Sequence, residues 1–319
     1  MAILPKGIDT LDVIQVVLVV VLSIFLANYI YIRWSLRSNR LAELDMEGFE
    51  NPESPDSDIL VLGNDNIYDE FYAKVYDVIV DGKTRQDAEV NLTLTWARSF
   101  RPENSMMEVL DIGCGTGGAV DIFRTIGVKK VVGLDASEAM VAAARKAHPK
   151  GDYRVGEVEQ IGQFAAGEFN LATLYYFTYY YLRDTEMMFR NLFYWLQPGG
   201  CLVIHLVNRE KFDPILEAAN PFVAFSVQKY SKERVTTSKV SFDKFDYEAN
   251  FSLEGESAEF REQFLFKKNK KKRRHVHKLR MTRMDEIIQK AESNGFVYKQ
   301  FIDLTAIGYE YQYLFCFVR

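Results

Sequence analysis

A short apolar run, Met107-Glu-Val-Leu-Asp-Ile112, passes directly into Gly113-Cys-Gly-Thr-Gly-Gly118, and a helical pattern begins near Ala119. Few folds accommodate a buried strand, a glycine-rich bend and a helix start in that order. Glycine lets the backbone turn sharply and lets a ligand approach where a Cβ would stand in the way. The new helix presents free N–H groups and the positive end of its dipole. A second strand, Lys130-Val-Val-Gly-Leu134, ends at Asp135, 17 residues beyond Gly118. A carboxylate there can accept both hydroxyl protons of a ribose. The pair of features predicts a site for a nucleoside-bearing cofactor. The plain alternative is a glycine turn with a capping aspartate.

Further strands are predicted at Tyr153–Val155, Phe169–Leu174 and Cys201–Val207, with helices between them. Ser137 is placed to cap the helix that follows Asp135. Strands alternating with helices predict an α/β, doubly wound parallel sheet. Gly113-x-Gly115-x-x-Gly118 by itself also satisfies a dinucleotide pattern. Asp111 departs from that pattern, because nicotinamide-binding folds usually have an apolar residue two before the first glycine.

Three segments carry the argument further: Val109-Leu-Asp-Ile-Gly-Cys-Gly-Thr-Gly117, Val132-Gly-Leu-Asp-Ala-Ser-Glu-Ala-Met140 and Leu196-Gln-Pro-Gly-Gly200. Together they resemble the class I S-adenosylmethionine-dependent methyltransferases, especially the small-molecule type 11 or 25, over roughly residues 66–319. The resemblance implies a seven-stranded Rossmann-like sheet, S-adenosyl-L-methionine as cofactor and a small-molecule or lipid-related acceptor. Carried over by position, Asp111 and the loop of Gly113, Cys114, Gly115 and Gly117 face the methionine part. Asp135 holds the ribose, Ala136 and Met140 pack on the adenine, and Glu157 bonds the adenine amino group. Asn170 stands where the family usually has aspartate, an exchange that is structural in expectation. Leu196–Gly200 is expected as a helix-to-strand turn.

Asn66–Asp77 resembles the family's lid helix, with Tyr68, Tyr72 and Tyr76 at i, i+4 and i+8 on one face. Tyr72 is the candidate cofactor contact, and plain packing is the alternative. After the fourth strand the family often has histidine, where this chain has Leu174-Tyr-Tyr-Phe-Thr-Tyr-Tyr-Tyr-Leu182. Aromatic faces suit a sulfonium or a cationic amine. One or two of Tyr175, Tyr176, Tyr179 and Tyr180 are expected at the pocket. Tyr175, Tyr179 and His205 are the weak catalytic candidates, His205 as a base or a plain core residue. Methyl transfer needs mainly positioning and desolvation, so a base is optional.

Residues 13–32, VIQVVLVVVLSIFLANYIYI, carry no charge over 20 positions, a length that spans roughly 30 Å as a helix. No polar stripe or cleavage pattern supports a core helix or signal peptide. Residues 1–40 are therefore expected to form a single-pass membrane anchor with its flanks. Arg33, Arg37 and Arg40 on the C-terminal side orient the catalytic domain to the cytosol. The sequons at Asn91 and Asn250 should then stay unmodified. Residues 41–65 are acidic, with Pro52 and Pro55, and predict a flexible linker. Residues 66–319 form the methyltransferase domain, with a β-rich, substrate-covering insertion over about 209–281. Asn208–Ile215 is expected to line that cover, and Phe296–Leu304 with Tyr309–Val318 to close the sheet as an antiparallel pair.

Charge bounds the partners. Lys+Arg number 39 and Asp+Glu 44, a net charge of -5, which disfavours generic nucleic-acid binding. The Asn/Asp-Pro-Pro-Tyr/Phe signature of base-methylating enzymes is also absent after strand four. Lys267–Arg274 holds seven basic residues in eight. It is expected as a solvated hairpin tip, with contact to anionic lipid as the functional alternative. Three scattered cysteines exclude a disulfide framework and a CxxC zinc site, and no metal is expected. The competing readings are an NAD(P)-dependent oxidoreductase, an RNA or protein methyltransferase, and a noncatalytic cofactor-binding module.

Overall fold

The structure is a computed structural model and describes residues 15–28, 59–80, 83–100, 103, 106–214 and 233–319. Helix α1 (15–28) belongs to a unit separate from the rest of the chain and is described by itself. Its apolar side chains, among them Leu18, Leu22, Ile24 and Phe25, are exposed. No helix among the described residues is long and apolar enough to cross a membrane. The structure therefore gives no support to the expected anchor, of which α1 is the described part. Residues 29–58, which hold the flanking Arg33, Arg37 and Arg40 and most of the expected linker, and residues 215–232 lie outside the described residues.

The larger unit contains two sheets. The first has seven strands: β2 (Glu108–Ile112), β3 (Lys130–Asp135), β4 (Asp152–Val155), β5 (Phe169–Leu174), β6 (Leu196–Val207), β11 (Val297–Asp303) and β12 (Gln312–Val318). Their order is β11-β12-β6-β5-β2-β3-β4. Strands β2 to β6 pair in parallel, and β12 and β11 close the edge antiparallel. On β2, Leu110 and Ile112 enter one core cluster and Val109 the other. That two-sided burial explains why the central strands are continuous apolar runs. The chain leaves β2 toward β3 on one side and reaches β5 on the other. A doubly wound sheet binds ligands at such a switch point, beyond the carboxyl ends of its strands.

Leu196–Gly200 is a correction. It is not a separate turn but the start of β6, following α8 (Thr185–Trp195) directly. The Gly199 N–H donates to the Arg319 carbonyl and the Arg319 N–H to Gly200, so the chain's last residue pairs with this segment. Asn170 is structural as expected: its side chain accepts from the Glu108 N–H at 2.9 Å and donates to the Met106 carbonyl at 2.8 Å.

The second sheet has the order β1-β10-β9-β8-β7, with β1 at Ile59–Gly63, β7 at Thr237–Ser241, β8 at Phe245–Glu254, β9 at Ser257–Phe266 and β10 at Lys272–Arg280. Along β8 the first seven residues alternate between buried and half-buried, the mark of an antiparallel sheet with one face covered. Strand β1 corrects the expected linker: residues 59–63 pair in parallel with β10, and α2 (Asn64–Ile67) follows. The basic run is corrected in part. Lys268 and Lys270 are exposed at the turn, but Arg273 is fully buried. Period-two alternation along β10 sends Arg273, His275 and His277 to the inner face. There Arg273 lies over the Phe71 ring, 4.3 Å from its centroid, and pairs with Asp69.

The covered face packs against α3 (Glu70–Val80): Phe71 meets Phe264 at 5.0 Å and Tyr72 meets His275 at 5.0 Å. The expected single lid helix is broken at Tyr68 and Asp69, between α2 and α3. The three tyrosine rings still form a ladder, with centroids 5.4 Å and 5.8 Å apart.

Candidate active site

The carboxyl ends of β2, β3 and β5, the lid helices and the inner face of the second sheet enclose a cavity of about 2040 Å³. Its floor is the glycine loop. Gly113 has φ +68, and a Cβ there would stand 2.5 Å from the Thr178 hydroxyl oxygen. Gly115 has φ +53, and its Cβ would enter open space. The first glycine is required by packing and the second keeps the cavity floor bare. Gly117 precedes α5 (Gly118–Thr125) as its N-cap. Cys114 is buried, and burial pushes its thiol well above the ordinary range. It is a neutral loop residue.

Asp135 ends β3 facing this loop. Its Oδ2 accepts the Gly115 N–H at 2.8 Å and its Oδ1 the Ser137 N–H at 2.9 Å. Each carboxylate oxygen retains a lone pair toward the cavity. Ser137 in turn accepts from the Met140 N–H at 3.1 Å, capping α6 (Glu138–Ala147), and its hydroxyl donates to the Tyr68 carbonyl at 2.5 Å. The lid is thus tied to the residue pair that follows β3. Ala136, Met140 and Glu157 line the same end of the cavity. Met140 is buried, while Ala136 and Glu157 are exposed.

At the other end Asp111 is buried and accepts from the Thr173 hydroxyl at 2.7 Å. Burial pushes its carboxyl up to about 7; the Thr173 bond opposes this, and the nearby Glu89 and Asp135 add to it. The carboxyl groups of Asp111, Asp135 and Glu89 at this cavity favour a cation.

Sequence reasoning missed the residues that complete this end. Arg85 and Glu89 come from α4 (Lys83–Ala97) and are both buried. The Arg85 guanidinium lies 3.7 Å from the centroid of the Tyr176 ring, and its Nε is 3.5 Å from Glu89 Oε2. Its Nε and Nη1 have no hydrogen-bond partner among the described residues. A buried cationic fork with open donors suits a ligand carboxylate. The missed signal was the i, i+4 spacing of Arg85 and Glu89 in a helix with no clear apolar stripe.

The tyrosine segment divides. Tyr175, Tyr176, Tyr180 and Tyr181 line the cavity. Tyr175 donates to the Thr93 hydroxyl at 2.9 Å and stacks on Phe123. Tyr179 is a correction: it is buried in the core beside Tyr180 and Phe189, because the short helix α7 (Thr178–Tyr181) turns it away. His205 is likewise a core residue. It is fully buried, with Nδ1 2.8 Å from Glu89 Oε1 and Nε2 3.0 Å from Gln312 Oε1. Both ring nitrogens face side chains inside the fold, and only Nε2 makes a hydrogen bond among the described residues. Tyr72 lines the cavity, with its hydroxyl donating to Glu262 Oε1 at 3.1 Å.

Residues 110–204 match the family model described as a methyltransferase domain. Over 114 residues the chain is 36% identical to juvenile hormone acid O-methyltransferase of Bombyx mori, covering 33% of this chain and 40% of that protein. Over 106 residues it is 34% identical to trans-aconitate 2-methyltransferase of Variovorax paradoxus, covering 32% and 40%. The chain thus spans under half the length of these relatives. Among solved structures, Streptomyces venezuelae DesVI superposes with a TM-score of 0.57 at 20% identity, covering 76% of this chain and 97% of that one. The S-adenosylmethionine-bound amino pentose methyltransferase CalS10 of Micromonospora echinaspora gives 0.56 at 20%, covering 77% and 96%. These two likenesses show the fold.

Residues 110–204 are thus a methyltransferase-domain match, set in a sheet that has the fold of the solved methyltransferases. The bare glycine floor, the open side of Asp135 and the acidic lining of the cavity fit S-adenosyl-L-methionine.

Proposed function

We propose that the chain transfers a methyl group from S-adenosylmethionine to a small-molecule or lipid-related acceptor. The observation that carries this is the meeting of Gly115 and Asp135, 2.8 Å apart, on the floor of a cavity large enough for two ligands. When bound, the cofactor supplies a methyl group on a cationic sulfonium. Asp135 holds the ribose hydroxyls, Asp111 the methionine ammonium and Arg85 its carboxylate. Met140 and Ala136 flank the adenine and Glu157 meets its amino group. The lid tyrosines exclude water and present aromatic faces to positive charge. Two relatives carry a small acid in their names, juvenile hormone acid and trans-aconitate, which supports a low-mass acceptor. The test is incubation with methyl-labelled cofactor and a mixed extract. Label in the low-mass or lipid fraction is expected, and label confined to protein or RNA would contradict the reading.

The assignment of Asp111 predicts a pH dependence. Its carboxyl sits near 7, so the ionised form that attracts an ammonium is lost as pH falls through that value. Affinity for S-adenosylhomocysteine should fall about tenfold for each unit below 7. Asp111→Asn should flatten the profile between pH 6 and 8, and calorimetry across that range checks it.

The same proposal places the enzyme at a membrane, held by residues 13–32 with its catalytic domain facing the cytosol. The uncharged run and the exposed apolar side chains of α1 support this. The full chain should then resist extraction by alkaline carbonate, with Asn91 and Asn250 unglycosylated. Release into the supernatant would contradict the attachment.

A further inference from the structure

The inner face of the second sheet carries a buried polar cluster that cofactor binding leaves unused. Glu262 on β9 stands opposite His275 on β10 in the strand register. Its carboxylate accepts from four side chains. Tyr72 and Tyr247 donate to Oε1 at 3.1 Å and 2.6 Å. His275 Nδ1 and His277 Nε2 lie 3.2 Å and 2.7 Å from Oε2. The remaining nitrogen of His277, Nδ1, is 2.8 Å from the Tyr181 hydroxyl. The Tyr68 ring stands edge-on to the Tyr181 ring, centroids 5.8 Å apart. Tyr68, Tyr181, His277 and Glu262 all line the cavity whose floor is Asp135.

Two nitrogens and a carboxylate that converge in this way also have the make-up of a cation site. The second nitrogen of His275 argues against that use. Arg273 Nε donates to His275 Nε2 at 2.8 Å, so Nε2 is an acceptor and the proton of the neutral ring sits on Nδ1. A metal on Nδ1 would move the proton to Nε2, facing the Arg273 N–H, and would place a further positive charge beside a buried guanidinium. The same reasoning fixes His277. Nε2 faces a carboxylate oxygen and carries the proton, so in the neutral ring Nδ1 presents a lone pair to the Tyr181 O–H.

Resting on the methyl-transfer reading above, we propose that Tyr181, backed by His277 and Glu262, accepts the proton of the acceptor's nucleophile, so that the acceptor is a hydroxyl or ammonium compound rather than a carboxylate. The acceptor atom takes the methyl carbon as the carbon–sulfur bond breaks, its electron pair staying on sulfur. The acceptor's proton passes to the Tyr181 oxygen, and the proton already there passes to His277 Nδ1. The imidazolium so formed lies against the Glu262 carboxylate, and its proton returns to water after the products leave. A carboxylic acid is already ionised at neutral pH and needs no such chain, whereas an alcohol or ammonium does. Tyr181 is the catalytic residue; His277 and Glu262 act through it.

The test uses the full chain labelled with nitrogen-15 at histidine. His277 should show one protonated and one bare ring nitrogen, and Tyr181→Phe should move the bare one while leaving His148 and His205 in place. Two protonated nitrogens, or displacement of the His275 and His277 signals by added zinc ion, would overturn the relay. His277→Gln should slow methyl transfer to the low-mass pool by about 100-fold with S-adenosylhomocysteine affinity unchanged. Unimpaired transfer by that variant overturns the relay alone, and a wild-type chain that binds no S-adenosylhomocysteine overturns the methyl-transfer reading beneath it. The labelled product should survive mild base, and cation exchange then separates a methylated amine from an ether. Release of labelled methanol marks an ester and overturns the acceptor class.

Discussion

Replacing Asp135 by alanine is expected to weaken S-adenosylhomocysteine binding about 100-fold. The carboxylate accepts the Gly115 and Ser137 amides, one on each oxygen, which fixes its orientation and leaves a lone pair on each side for a ribose hydroxyl. Hydrogen bonds to a charged group contribute about 1.5–3 kcal/mol each. Loss of the pair, with some water entering in its place, amounts to about 2.7 kcal/mol, or a hundredfold. Asp135→Asn is an informative companion. Its amide nitrogen must face either the Gly115 or the Ser137 N–H, donor against donor, so the isosteric change should also weaken binding. Calorimetry on both variants decides, and unchanged affinity would refute the ribose assignment.

The second large effect concerns stability. Glu89→Ala is expected to destabilise the fold by about 3–5 kcal/mol, because truncating one partner of a buried ion pair strands the other. Glu89 is completely buried, 3.5 Å from the Arg85 guanidinium and 2.8 Å from His205 Nδ1. Its removal leaves Arg85 without its counter-charge in the core. For a domain of this size the melting temperature should drop by about 10 °C. Adding Arg85→Met should recover much of the loss, since an apolar pair at a buried position avoids the desolvation cost. Thermal unfolding followed by circular dichroism checks both, and a shift of only 1–2 °C in the single variant would contradict the pairing.

Which parts of this molecule were legible in its sequence follows from how local their causes are. The strand, glycine bend and helix from Glu108 to Thr125 are specified by neighbours in the chain, as is the Ser137 cap, and each was read within a residue or two. In the insertion, alternation over Glu248–Leu253, Glu259–Phe266 and His275–Met281 marks three of the strands, while β7 goes unmarked. What was misread depends on distant partners. Residues 59–63 look like linker because their strand partner, β10, lies some 200 positions later. Lys267–Arg274 looks uniformly solvated until the pleat of β10 sends Arg273 inward to Asp69 and Phe71.

The site divides along the same line. Asp111, the glycines and Asp135 sit on strand ends whose place is set by the sheet, so motif and geometry agree. His205 and Tyr179 were candidates by residue type, but Glu89 and Gln312 occupy the histidine and the core encloses the tyrosine. Arg85 and Glu89 carried too little pattern to be noticed. The Arg273, His275 and His277 spacing did carry a signal. These three polar residues, two apart in β10, share one face, and the question of what that face meets leads to Glu262.

Titration calorimetry of the full chain with S-adenosylhomocysteine and, separately, with NADH tests the central claim most directly. The account predicts one saturable site for S-adenosylhomocysteine and no binding heat with NADH. Saturable binding of NADH without affinity for S-adenosylhomocysteine would contradict it.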